Sequence, residues 1–454
     1  MSLASLLSIA RSAMFAQQSA MSVTAHNVAN AQTPGYSRQR LELAAAAPQL
    51  MPTGPVGRGV TEVGILRVRN TFFDSRYRSE SGLLGNSATL GDFLGQVEAA
   101  IHEPSADGLA ASLDGLFGSF ANLANNPTSS TSRSLVQQAG RRFVQQLQQL
   151  DAAVHQVADG AYTQMRDQVG QVNDLARQIA DLNSSIRASG GPIGSSPDLQ
   201  DRRDVLVDQL SSLVGVRVLD RDDGTIGLAA GDTILVDGGS FQTLSVNLLA
   251  GGGFSLITVG GGTMDPKSGS LRALCELTTT TLPGIQRQLD SLAQALVTTV
   301  NAIHRSGFTL NGATNTDFFD PAGVTAQTIA LAPAIIASGD AIAAAGIGAP
   351  GDGTIAQQLA ALATTGVAAL GGRSFRDFYI DLSGEIGSSV SSASQDADAH
   401  LAMVDQADTL RSSVSGVSVD EEMVALISQQ QAYTAAARIV NVANEMMQSV
   451  LEMI

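Results

Sequence analysis

Two heptad seams at opposite ends of the chain constrain its fold more than any other feature. Leu3, Leu7, Ala10, Met14, Gln17, Met21, Thr24 and Val28 are spaced alternately by four and three residues, the a/d seam of a coiled coil. Val419, Met423, Leu426, Gln430, Tyr433, Ala437, Val440, Asn444, Met447, Leu451 and Ile454 carry the same spacing to the last residue. Ser418-Val419-Asp420-Glu421 opens this second seam as a capping box. A helix of roughly thirty residues with one apolar stripe has little stability alone, because nucleation is costly and nothing covers the stripe. Each seam needs a partner, and each offers the other one. For the first forty residues taken alone, an ordinary amphipathic helix with an Asn cap is an equal account.

Between the first seam and the next element the chain reads TAHNVANAQTPGYSRQR, residues 24–40. Pro34 presets the second position of a turn and Gly35 supplies the positive φ of the third, so a type II turn after Asn30 ends the helix. Tyr36 then anchors the start of a strand. Asn27 and Asn30 are placed to cap backbone groups or to bond an adjacent subunit, capping being the expected role of Asn30. With Thr33, Pro34, Gly35 and Tyr36 they make up the candidate assembly and turn motif.

Composition removes several classes of function. A chain of 454 residues has room for two to four domains, and 44% hydrophobic residues suits a folded protein. No apolar stretch reaches the roughly 18 residues of a membrane span, and the run from Ile329 to Pro350 is cut by Pro333, Ser338 and Asp340. The N-terminus has no basic and apolar leader, so a cleaved secretory signal is not expected. Cys275 is the only cysteine, which leaves no intrachain disulfide and no Cys/His metal cluster. With a net charge of −16 and Lys267 as the only lysine, the basic footprint for nucleic acid or an anionic membrane is missing.

Periodicity divides the rest. Leu41, Leu43, Val60, Val63, Ile65 and Val68 read as strands around a Pro/Gly-rich loop from Pro48 to Gly59. Phe143, Leu147, Leu150, Val154, Val157 and Ala161 keep one heptad phase, and Val172, Leu175, Ile179, Leu182 and Ile186 another. The eleven-residue step between them is a stutter, so one helix from about Ser130 to Ala188 is predicted, with Gly160 and Gly170 as its weak points. A loop from Ser189 to Ser195 ends it, and Ser196-Pro197 starts a helix closed by Gly215. Asp223-Gly224, Gly231-Asp232 and Asp237-Gly238 then mark hairpin turns. Helices resume with Ile285, Leu289, Leu292, Leu296 and Ile303, and again with Phe375, Tyr379, Leu382 and Ile386. The expected fold is mainly α with a β insertion: paired N- and C-terminal coiled-coil helices, a long-helix bundle domain and a small antiparallel β domain. Its expected parts are a terminal helix and turn at 1–36 paired with 416–454, helical halves at 37–215, with short strands, and at 269–415, and an inserted β domain at 216–268.

The stretches SAMSVTAHNVANAQTPGYSRQR and VSGVSVDEEMVALISQQQAYTAAARIVNVANEMMQSVL resemble the paired termini of the bacterial flagellar axial proteins, that is rod, hook and hook-filament junction subunits. With LARQIADLNSSI, DLQDRRDVLVDQLSSLVGVRV and GGRSFRDFYIDLSGEIG, the likeness runs through nearly the whole chain and is to the first of the two junction subunits. It implies a structural protein of the flagellum, exported unfolded through the type III apparatus with a chaperone, and found outside the cell. It implies a ring of copies at the distal end of the hook, in contact with hook protein and the second junction protein. The paired terminal helices would form the inner core, with β-rich material facing outward.

Candidates for chemistry have plainer readings. Asp420, Glu421 and Glu422 fall in the first turn of a helix, where acids complement the dipole. Asp220, Asp222 and Asp223 begin like a calcium loop, but Gly224 stands where a ligand belongs and no spaced Glu follows, so a hairpin turn is expected. His304 near a helix end reads as a C-terminal cap. No cofactor is expected. Two other functions stay open on the sequence, a hook or distal-rod subunit sharing the terminal seams and a peptidoglycan hydrolase on an axial scaffold. The second needs two positioned acids in a cleft.

Overall fold

The structure, a computed structural model, describes residues 3–51, 54–190, 196–249 and 253–452. Helix α1 (Leu3–Ala29) runs into the motif turn. A ribbon follows, in which β1 (Gln39–Ala45), β2 (Gln49–Met51), β3 (Gly54–Val56) and β4 (Val60–Arg67) pair as β1 with β4 and β2 with β3, all antiparallel. The stretch from Pro48 to Gly59, expected as loop, thus carries a short hairpin. Next come α2 (Thr71–Ile101) and α3 (Leu109–Asn125); Asn70 caps α2 by accepting from the Phe72 N–H at 3.0 Å.

Helix α4 spans Ser130–Ala188, 59 residues without a break at Gly160 or Gly170 and roughly 88 Å long at the standard rise. Ser129 accepts from the Ser132 N–H at 3.3 Å and starts it. Inside the stutter, Met165 and Val169 are buried between Ala161 and Val172. Their four-four-three spacing keeps the apolar stripe on one side of a nearly straight helix. That stripe is covered by α3, by the helix at Leu282–Arg305 and by the β layer.

After α5 (Pro197–Leu213), whose proline sits in its first turn, the chain forms two meanders. One is β5 (Arg217–Asp220), β6 (Ile226–Ala230), β7 (Thr233–Asp237) and β8 (Ser240–Phe241) in that order. The other is β9 (Leu244–Leu248), β10 (Phe254–Thr258) and β11 (Thr263–Met264). Gly224, Gly231 and Gly238, with φ of 78°, 56° and 56°, make the turns of the first meander. Both sheets bury one face on α4, through Leu228, Val236, Leu244 and Leu256. Two asparagines of α4 act as extra strand partners. Asn173 exchanges bonds of 2.9 and 2.8 Å with the Leu244 backbone. The fully buried Asn183 donates to the carbonyls of Ile226 and Gly238 and accepts from the Ile226 N–H.

Helix α6 (Ser270–Glu276) continues through a wider π turn at Leu277–Thr281 into α7 (Leu282–Arg305), the turn accommodating Pro283, which has no N–H. Residues 306–374 hold only the short α8 (Pro333–Ala337) and α9 (Thr354–Ala361) besides 3-10 turns, yet they bury Phe318, Phe319, Ile329, Leu331 and Ile335 in the core shared with α3, α4 and α7. His304 helps to hold this segment and is not a helix cap. Its Nδ1 donates to the Thr316 carbonyl at 2.7 Å while Nε2 accepts the Ala343 N–H at 2.9 Å. Burial pushes this imidazole down to about 4. Finally α10 (Phe375–Ser415) lies antiparallel on α2, and α11 (Val419–Glu452) lies antiparallel on α1.

Candidate functional site

The ends of the chain meet at Asn27, in the last turn of α1 and 1% exposed. Its Oδ1 accepts the Gln39 N–H at 2.9 Å and the Tyr36 hydroxyl at 2.8 Å. Its Nδ2 donates to the Gln39 carbonyl and to Oε2 of Glu422, both at 2.9 Å. One amide therefore pairs with the first residue of β1 as a strand would, and also grips α11. Glu422 is 2% exposed, and its Oε1 accepts from Arg38 Nε at 2.7 Å. Arg38 further donates from Nη1 to Glu421 and from its backbone to the Ser415 carbonyl. The acids of this first turn therefore do more than complement a dipole. The capping box is half formed: Ser418 Oγ accepts the Glu421 N–H at 3.4 Å, but Glu421 turns to Arg38. Burial, with Asp198, Asp201 and Glu422 nearby, raises the Tyr36 phenol far above its ordinary range, so it stays a donor.

The turn has the predicted geometry. The Tyr36 N–H reaches the Thr33 carbonyl at 3.1 Å across Pro34 and Gly35, the latter at φ 77°. A Cβ on Gly35 would also stand 2.3 Å from Val205 Cγ2 of α5, so the position excludes side chains twice over. Asn30 caps α1, donating to the His26 carbonyl at 3.1 Å, and accepts from Thr33 Oγ1 at 3.2 Å. Thr33 and Pro34 are exposed.

Beneath the turn, α5 presents Asp198, Asp201, Asp204 and Asp208 along one face. Gln39 donates to Asp198 at 2.9 Å, and Ser37 meets Asp201 through its N–H at 2.9 Å and its hydroxyl at 2.7 Å. Arg67 and Arg69 both reach Asp204 at 2.6 Å, and Arg78 and Arg411 both reach Asp208 at 2.6 Å. Burial pushes the Asp204 carboxyl up, but Arg69, Arg67 and Arg78 outweigh it and hold it well below the carboxylate range. The ribbon, α2 and α10 are thus fastened to one helix. Sequence reasoning missed Arg38, Arg67, Arg69, Arg78 and this row, and read Glu422 only as a complement to the helix dipole. The aspartate spacing of three, three and four in DLQDRRDVLVD was the available signal.

The seams meet in part. Ala10 and Thr24 are buried, and Leu3, Leu7, Met14, Met21 and Val28 are half-buried. On α11, Leu426, Tyr433, Ala437 and Val440 are half-buried, and Tyr433 and Val440 join Leu7 and Met14 around a gap of about 290 Å³. Thr24 and Gln429 share hydrogen bonds of 3.1–3.2 Å. Val419, Met423, Met447 and Leu451 are 45%, 46%, 39% and 69% exposed, and Ile454 lies outside the described residues. The fully covered positions of α11 are Glu422, Ala436 and Ala443, one residue before the predicted phase. The phase slips because α11 has two apolar sides. Val424, Ile427, Ile439, Val442 and Met446 form a second, exposed stripe at helical spacing. Asp223 accepts from the Thr225 N–H and hydroxyl as a turn residue, and no group of metal-ligating side chains occurs among the described residues. Among the described residues no helix is long and apolar enough to cross a membrane.

Residues 94–319 match the flagellar hook-associated protein FlgK helical domain, 7–36 the flagella basal body rod protein domain, and 402–453 the flagellar basal body rod FlgEFG protein C-terminal domain. Flagellar hook-associated protein 1 of Bacillus subtilis (strain 168) is 32% identical, covering 98% of this chain and 97% of its own. The protein of that name from Salmonella typhimurium is 29% identical over 70% of this chain and 59% of its own length. In fold, the chain is similar to the flagellar hook junction protein FlgK from Burkholderia pseudomallei, with a TM-score of 0.67 and 16% identity over 75% of this chain and 100% of that one.

Proposed function

Since the chain belongs to the flagellar hook-associated protein 1 family, and is thereby a structural, non-enzymatic component of the flagellum, we propose that it forms the ring through which hook is joined to filament. The family places it in the flagellum, outside the cell and next to the hook. The neighbours in this reading are further copies of itself, hook protein on one side and the second junction protein on the other. The chain reaches them through the type III export apparatus, with an export chaperone. The division into an axial core (1–36 with 416–454), helical halves (37–215 and 269–415) and an outer β layer (216–268) belongs to the same proposal.

The observation that carries it is the two-sided α11. Its small residues close on α1, while Val424, Ile427, Val442 and Met446 remain exposed at 50–68%. A helix apolar on two sides is suited to a site between neighbours. The motif residues Asn27, Asn30, Thr33, Pro34, Gly35 and Tyr36 would hold the axial pair at a fixed angle to the rest of the subunit.

A strain lacking the chain is expected to build hooks of normal shape, carry no filaments and lose flagellin to the medium. A variant ending at Gly416 keeps the turn but lacks α11, and should behave like the deletion once its presence outside the cell has been measured. Filaments of normal length on the deletion strain would overturn the junction reading. Absence of hooks would favour a hook or rod subunit instead.

A further inference from the structure

The first turn of α2, α5 and the β5–β6 edge enclose a cleft of about 840 Å³. Arg67, Arg69, Arg78, Arg203, Arg217 and Lys267 line it, against only Asp74, Asp204 and Asp220. The excess is unusual in a chain of net charge −16 whose only lysine is Lys267. Arg67, Arg69 and Arg78 are engaged by the α5 aspartates, and Lys267 by Asp265 at 2.6 Å.

The two remaining arginines have no carboxylate partner among the described residues. Arg203 is 5% exposed; its Nη1 donates only to neutral oxygens, Asn183 Oδ1 and the Gly224 carbonyl, each at 2.9 Å, and its Nε finds no acceptor. Arg217 stands exposed on the edge strand β5. A buried guanidinium with no carboxylate in direct contact is unfavourable, and Asp204 and Asp220 nearby offset only part of its charge. With six basic side chains against three acidic ones on its walls, the cleft suits a further carboxylate.

We propose that the cleft receives an acidic side chain from a second copy of this chain, an inference that rests on the assembly reading above. Copies that each carry −16 repel wherever their surfaces reflect the average composition, and contact is favoured where the local sign reverses. The chain also supplies the complementary groups: Asp396, Asp398 and Asp405 are exposed along α10 and have no ion-pair partner among the described residues.

The test replaces Arg217 with the photo-crosslinking residue benzoylphenylalanine in the full chain, in cells that are building flagella. Illumination is expected to give a product of twice the chain's mass, with the crosslinked peptide mapping to an acidic segment of the second copy. In parallel, Arg217→Glu combined with Lys267→Glu should lower the amount of chain in isolated flagella roughly tenfold or more, while the purified variant keeps the wild-type thermal midpoint. A crosslink to a different protein, no crosslink at all, or normal incorporation of the double variant would overturn the proposal. If the unmodified chain is itself missing from isolated flagella, the assembly reading falls, and this inference with it.

Discussion

Along α4, Phe143, Leu147, Leu150 and Val154 are at most 6% exposed, whereas on α11 the residues at the same spacing, Met423, Met447 and Leu451, are 46%, 39% and 69% exposed. Both helices carry apolar residues at heptad spacing. The difference lies in what the chain can bring against them. Around α4 are α3, α7, two sheets and the segment 306–374; beside α11, among the described residues, α1 is the main neighbour. Burial of a Leu, Val or Phe contributes about 1.5–3 kcal/mol, and α4 collects that many times. The closed side of α11 is Ala436 and Ala443, which contribute much less. Buried polar bonds among Asn27, Arg38 and Glu422 fix the terminal pair, and its large side chains remain available for contacts outside the chain.

The contrast can be broken most forcefully from the α4 side. Leu147→Asp puts a carboxylate into a site with no exposure, and should unfold the helical core altogether, seen as loss of the cooperative thermal transition. Glu422→Ala takes one of two carboxylates from Arg38 and one of two acceptors from the Asn27 amide, at a cost of about 1–3 kcal/mol to the terminal pair. Hydrogen exchange should then speed up in α1 and α11 while α4 keeps its protection. Equal loss in α4 would mean that the two regions fold as one.

Acid separates the regions by a comparable amount. His304 has its value lowered from 6.5 to about 4 by burial, so it contributes fully above 6.5 and its contribution is lost as pH falls towards 4. Denaturant titrations at pH 7 and pH 4.5 should show the core weakened by about 2–3 kcal/mol. Asp204, held below the ordinary carboxylate range, keeps its contribution through that window and loses it only at lower pH, so the α5 row should survive where the core has weakened. Smallest of all, Val442→Ser should change the stability of the free chain by no more than about 0.5 kcal/mol, yet reduce its recovery in isolated flagella. Normal recovery would remove the second stripe from the assembly surface.

Much of this arrangement was legible in the residues. The α4 stutter, the Pro34-Gly35 turn and the glycine turns of the first meander follow from local chemistry, since each depends on neighbours within a few positions. The phase of the α11 seam did not, because two apolar stripes on one helix fit two phases. The role of Glu422 was hidden for another reason. Its partners lie 384 and 395 residues away, and a carboxylate in a first helical turn looks the same whether it faces solvent or an arginine. Residues 306–374 escaped because irregular backbone has no period, although it buries Phe318 and Phe319 completely.

The bond between Arg38 and Glu422 closes a loop of 384 residues. Contacts of such separation are the slowest kind to form, since the entropy of closing the loop is lost before any contact compensates it. Whichever end of the chain leads, this knot can be tied only when both ends have reached the same compartment. A polypeptide threaded through a narrow channel would carry its two ends untied for the whole passage and join them on arrival.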